Sequence, residues 1–196
     1  MLKYVRDRLA GGFDLVFLFG RGIEKFDGTK REAMLSLILP SALFFLSLYL
    51  SRFYPPKGMT AVPHSRAMEL MTAHDVLSFI LGNLLVAGLA KSLGVLDRFW
   101  LYFSSSNWVG ISFSILTLPL AIAAVTHYAP RAPLDRAFVL VDVYGYIVTA
   151  CVVWRSFRVN WELAGFITIA SLFVDQELWH LIYHLQGLPW PWSWSW

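Results

Sequence analysis

The chain has 196 residues, of which 57% are hydrophobic and only 15% charged, and its mean hydropathy is +0.57. A soluble domain carries about 25% charged residues, so the composition excludes an ordinary water-soluble domain. The net charge of +3 comes without a polybasic block or an aromatic RNA-binding motif, which excludes nucleic acid as a partner. The single cysteine, Cys151, rules out an intramolecular disulfide and a cysteine-based metal site, and it reads as a small buried apolar residue.

Residues 1–20 predict an interfacial amphipathic helix followed by a break. Leu2, Val5, Leu9, Phe13, Val16 and Phe17 recur at spacings of three and four, while Lys3, Arg6, Asp7 and Arg8 lie largely off that stripe. Such a helix either lies flat among lipid headgroups or packs on the cytoplasmic end of a bundle, and the two are compatible. The charges also break any continuous signal-peptide core, so the first membrane helix is expected to act as an uncleaved insertion signal. Gly20-Arg21-Gly22 and Asp27-Gly28 mark turns.

Five apolar runs follow, each about long enough to cross a hydrocarbon core of ~30 Å at ~1.5 Å per residue. The first, 33–51, contains Pro40, which predicts a kink with Ser36 and Ser41 near enough to satisfy the freed backbone. A turn-rich loop carries Pro55-Pro56-Lys57-Gly58, and 65–73 reads as one or two amphipathic turns. The second run, 74–93, opens on His74-Asp75 and holds Asn83, expected to hydrogen-bond a neighbouring helix. The third, 105–128, starts at a Ser104-Ser105-Ser106 cap and contains Pro119. The fourth is 136–154 and the fifth 161–184. The tail, 189–196, alternates Trp with Pro and Ser and suits the membrane interface.

The expected fold is therefore all-α: a polytopic membrane bundle of five transmembrane helices with an N-terminal interfacial helix. Residues 1–32 form a cytoplasmic amphipathic segment, 33–186 the transmembrane domain and 187–196 the interfacial tail. Five spans put the termini on opposite sides. Lys3, Arg6, Arg8, Arg21, Lys25, Lys30, Arg31, Lys91, Arg98, Arg155 and Arg158 fall on one side, and Arg52, Lys57, Arg66, Arg131 and Arg136 on the other. The positive-inside rule then places the N-terminus in the cytoplasm and the Trp tail outside.

The sharpest chemical cluster is at the end of the fifth run. Glu177, His180 and His184 are spaced to share one helix face, and imidazoles with a carboxylate suit zinc, iron or manganese. A metal is the cofactor this cluster would take; nothing else in the sequence asks for one. His64, His74 and His127 are scattered singles that the topology leaves room to join it. Asp142, in the first two turns of the fourth run beside Tyr144 and Tyr146, is a candidate for a proton or ion relay. Its alternative is a carboxylate held by the helix dipole and by Arg131 or Arg136. No phosphate loop, nucleophile elbow, dinucleotide fingerprint or CxxC pair occurs, and no catalytic residue is assigned.

The second half of the chain resembles the Yip1-like superfamily. Asn107-Trp108 followed by Leu118-Pro119-Leu120 is similar to the third span of its bacterial members, which carries a mid-helix proline. Tyr146, Trp154-Arg155-Ser156-Phe157 and Leu163-Ala164-Gly165 are similar to the fourth-to-fifth span junction. The resemblance covers about 99–184. It implies five spans and a non-catalytic scaffold or membrane-organising role in a bacterial inner membrane, with lipid and a homo- or hetero-oligomer as partners. Eukaryotic members are linked to vesicle trafficking and small GTPases, but this chain lacks their long acidic or Pro-rich extension. Glu177, His180 and His184 are not a mark of the family. Two alternatives stand beside this one: a metal- or proton-handling protein, and a small subunit of a transporter or respiratory complex.

Overall fold

The computed structural model describes residues 2–51, 62–126, 128 and 130–188, and these are helical, without a strand. The helices are α1 (Leu2–Val16), α2 (Lys30–Leu35), α3 (Ile38–Ser51), α4 (His64–Ser92), α5 (Phe99–Val125), α6 (Arg131–Phe157) and α7 (Trp161–Leu185), with 3-10 turns at Gly20–Lys25 and Leu96–Arg98. Among the described residues three segments are long and apolar enough to cross a membrane, as an integral membrane protein requires: His64–Ser92, Leu96–Val125 and Ala132–Phe157. Their outward residues are large and apolar, such as Leu84, Ile122 and Leu140.

The apolar runs mark cores of helices whose ends lie further out. Backbone hydrogen bonding continues past the hydrocarbon wherever no breaker intervenes, so α4 starts ten residues before the second run. It has 29 residues, about 43 Å at ~1.5 Å each, against a core of ~30 Å. Its first turns, with the Arg66–Glu69 ion pair at 2.8 Å, extend past the apolar stretch. Ser104, Ser105 and Ser106, expected as a cap, lie inside α5, and Ser104 and Ser105 are buried.

The first apolar run departs most from expectation. It is not one kinked helix: α2 ends at Leu35, the chain turns at Ser36 and Leu37, and α3 begins at Ile38. Pro40 therefore sits in the first turn of α3, where its missing N–H costs nothing. Ser36 donates its hydroxyl to the Ala33 carbonyl at 2.7 Å and accepts from Asn107 Nδ2 at 2.9 Å, which ties the break to α5. α3 has 14 residues, about 21 Å, short of a span by itself.

The core lies where α1, α5, α6 and α7 meet. Leu15, Val16, Trp108, Val148, Val152 and Ile167 are almost wholly buried there, with Val86 of α4 against them. Of the two placements open to the N-terminal helix, the structure shows packing on the bundle. Gly12 backs onto α5 so closely that a Cβ would lie 2.3 Å from Ser112 Oγ and 2.7 Å from the Trp108 carbonyl oxygen. Small residues let helix backbones approach in this way. The Tyr144 hydroxyl of α6 donates to the Val16 carbonyl at 2.6 Å and caps the end of α1.

Within the helix pair α5–α6, Ser105 and Ser156 hydroxyls lie 3.2 Å apart, and Tyr102 stacks on Phe157. Arg158, in the left-handed region at φ 54, ends α6, and the Asn160 side chain caps α7 by accepting from the Leu163 N–H at 2.9 Å. α7 runs antiparallel to α4, with His74 beside Asp175 and Leu70 beside Tyr183. Asn83 does not reach a neighbouring helix: its amide donates to the Phe79 carbonyl of its own helix at 2.8 Å.

Candidate functional site

Two clusters of buried charge lie at opposite ends of the bundle. The first joins α1 to α2. Thr29 caps α2 by accepting from the Glu32 N–H at 3.2 Å, and Glu32 reaches back to accept from the Asp27 N–H, so the two close a capping loop. That holds the Glu32 carboxylate, 3% exposed, against Arg8, whose Nε lies 2.6 Å from Oε1. Arg8 also donates to Asp27 Oδ2 at 2.6 Å and to the Lys25 carbonyl, and its guanidinium lies over the Tyr4 ring. Burial pushes the Glu32 carboxyl above the usual glutamate range, against the opposing pull of the Asp27 N–H and of Arg8. This cluster fastens the N-terminal segment and leaves Lys3, Arg6, Arg21, Lys30 and Arg31 exposed around it.

The second cluster joins α4 to α7. His74 lies on the buried side of α4, one turn after Leu70, because the apolar stripe Ala67, Leu70, Met71 faces α7. Its Nδ1 is 2.9 Å from Asp75 Oδ1, and its Nε2 is 3.3 Å from the Asp175 carbonyl oxygen and 3.4 Å from Asp175 Oδ1. Ser78, one turn further along α4, donates to Asp175 Oδ1 at 2.7 Å. Trp179, one turn beyond Asp175, stacks on the imidazole with ring centroids 3.9 Å apart.

The residues singled out by spacing behave differently. Glu177 and His180 lie 3.9 Å apart with side chains 73% and 57% exposed, and His184 is exposed one turn on. Sharing a face does not make them converge: among the described residues no three His, Cys, Asp or Glu side chains gather around a metal-sized point. Asp175, on the same short stretch, points the other way, into the α4–α7 interface. His127 and residues 189–196 fall outside the described residues, and His64 is exposed at the start of α4.

Asp142 is not in the first turns of its helix. Because α6 begins at Arg131, the residue is three turns in, beyond the reach of the helix dipole. It lies on an exposed face, and Tyr146 one turn later is within electrostatic range of both Asp142 and Asp175. Spacing missed the partnership of His74 with Asp175, which spans 101 residues. The available signal was the pair His74-Asp75 at the boundary of an apolar run.

Chemically, the α4–α7 cluster is a histidine clasped by two carboxylates. The N-terminal cluster is a structural ion pair. Comparison with family models, with curated proteins and with solved structures finds no match to this chain.

Proposed function

We propose that the chain is a five-span inner-membrane protein with a cytoplasmic N-terminus, acting as a non-catalytic scaffold or membrane-organising component as the Yip1-like resemblance implies. The observation that carries this reading is the N-terminal segment. It is locked onto α5 and α6 by Gly12 and Tyr144, with α2 tied to α1 through the Arg8–Glu32 pair, and it presents Lys3, Arg6, Arg21, Lys30 and Arg31 on a fixed surface. A rigid basic platform at a membrane face suits anionic headgroups or an acidic partner surface.

Five spans are supported by the course of α2 and α3. Gly28 backs onto Leu101 and Ser36 bonds Asn107, so the two helices advance beside α5 in the same direction. Residues 33–51, the end of α2 with α3, extend about 28 Å, close to the thickness of the hydrocarbon core. α7, with 25 residues antiparallel to α4, supplies the fifth. Asp175, Gln176 and Glu177 lower its apolarity without shortening it.

Cross-linking in native membranes followed by mild-detergent purification tests the role. The expected result is a recurrent assembly, with itself or with a fixed partner, that weakens when the five exposed cations are replaced by Gln and the fold is retained. A monomer without recurrent neighbours in native membranes overturns it. A fixed set of transporter or respiratory subunits in the cross-links replaces it with the subunit reading.

A further inference from the structure

Each ring nitrogen of His74 faces a different carboxylate, Asp75 at Nδ1 and Asp175 at Nε2. A neutral imidazole has one N–H and one lone pair. It can donate to one of these residues only, and it turns a lone pair on the other. The imidazolium donates to both, and the second bond it gains is charge-assisted. The two carboxylates stand on opposite sides of the ring, so they cannot share a metal ion with it.

The ring itself is sealed, with a side chain 4% exposed beneath the Trp179 indole. Asp75 and Asp175 are 40% and 35% exposed, which leaves them open to protons from outside the bundle. The groups facing the ring from α4 are Asp75 and Ser78, and those from α7 are Asp175 and Trp179. From α6, Tyr146 lies within electrostatic range of Asp175 and also of Asp142 on its own helix. Glu177 and His180, also on α7, are exposed and paired with each other. Among the described residues no Lys or Arg pairs with Asp75 or Asp175, so the one group placed to serve as their counter-ion is His74 when it carries a second proton.

The position matters because α4 meets the rest of the bundle chiefly along α7. We propose that His74 is a proton-binding site that latches α4 to α7. Uptake of one proton from water at the unprotonated ring nitrogen closes the latch, and its release opens it. No bond between heavy atoms changes. The inference is independent of the scaffold reading, and either can fail without the other.

Amide hydrogen exchange of the detergent-solubilised chain at about pH 5.5 and 8, across the range where histidine changes charge, tests it. After correction for intrinsic exchange rates, residues 67–78 should exchange about tenfold more slowly at the acidic pH, as an added bond to a charged group implies. The ratio should be flat in His74→Gln. Protection in the natural chain that does not vary with pH overturns the proposal, and so does an unchanged pH response in His74→Gln. Should that variant fail to fold, histidine-selective nitrogen-15 resonance spectra of the natural chain decide. A ring that takes up a proton within this range, with both N–H groups protected, supports the latch. A ring that keeps one charge state throughout overturns it.

Discussion

The Tyr144 hydroxyl donates to the Val16 carbonyl across 128 residues of sequence, at 2.6 Å. The bond reaches from α6 to the end of α1, where helix carbonyls have no partner of their own. Tyr144→Phe leaves that carbonyl unpaired with little change of shape. A loss of about 1 kcal/mol is expected, read as faster proteolysis and hydrogen exchange in residues 2–26 while α4 and α7 are unchanged.

Gly12 has no room for a side chain. A Cβ would meet both Ser112 Oγ and the Trp108 backbone carbonyl, and the latter cannot move without moving α5. Gly12→Val should therefore separate α1 from α5 and cost about 1–3 kcal/mol or more. Ser112→Ala should not rescue it, because the carbonyl contact remains. Gly88→Ala, where a Cβ would meet nothing within 4 Å, should be neutral or slightly stabilising. Thermal unfolding in detergent separates the two.

Glu32 should show an inverted pH dependence. Its folded pKa is raised by burial, so the folded state holds the proton more tightly than the unfolded chain does. The stability this group contributes is fully present below the ordinary glutamate range and is lost as the pH rises through the raised value. Glu32→Gln should flatten that part of the melting profile at small cost. Arg8→Met should be worse, by about 3–5 kcal/mol, because it strands a buried carboxylate. Equal losses in the two variants would contradict the assignment.

The exposed Glu177, His180 and His184 should be dispensable for folding. His180→Ala/His184→Ala is expected to melt within about 0.5 kcal/mol of the natural chain. Elemental analysis of the purified protein should find no stoichiometric metal, and chelators should leave stability unchanged. Metal at one per chain that is lost in the double variant would restore the metal reading.

Hydropathy made the apolar helices legible, because lipid demands long apolar runs with backbone bonds satisfied internally. It could not place their ends. Residues 64–73 are polar enough to leave the hydrocarbon, yet they contain no breaker, so α4 continues through them. Pro40 was visible, but whether a proline kinks a helix or starts one depends on Ser36 finding Asn107, a contact 71 residues away. The apolar stripe of α1 could not say whether it faced lipid or protein. Gly12 opposite Ser112 and the Trp108 carbonyl of α5 carried that information, and only pairing the two helices reveals it. At the candidate site, local spacing grouped Glu177 with His180 and His184, whereas the buried geometry groups Asp175 with His74. Helix spacing shows which side chains share a face and says nothing about what that face meets.

The central proposal is that the chain crosses the membrane five times, the end of α2 with α3 making the first crossing. Paired reporters fused to the C-terminus, one active only in the cytoplasm and one only outside, test it most directly. Activity of the outside reporter alone is expected, with the N-terminus protected in the cytoplasm. Activity of the cytoplasmic reporter at the C-terminus would contradict it and leave an even number of crossings.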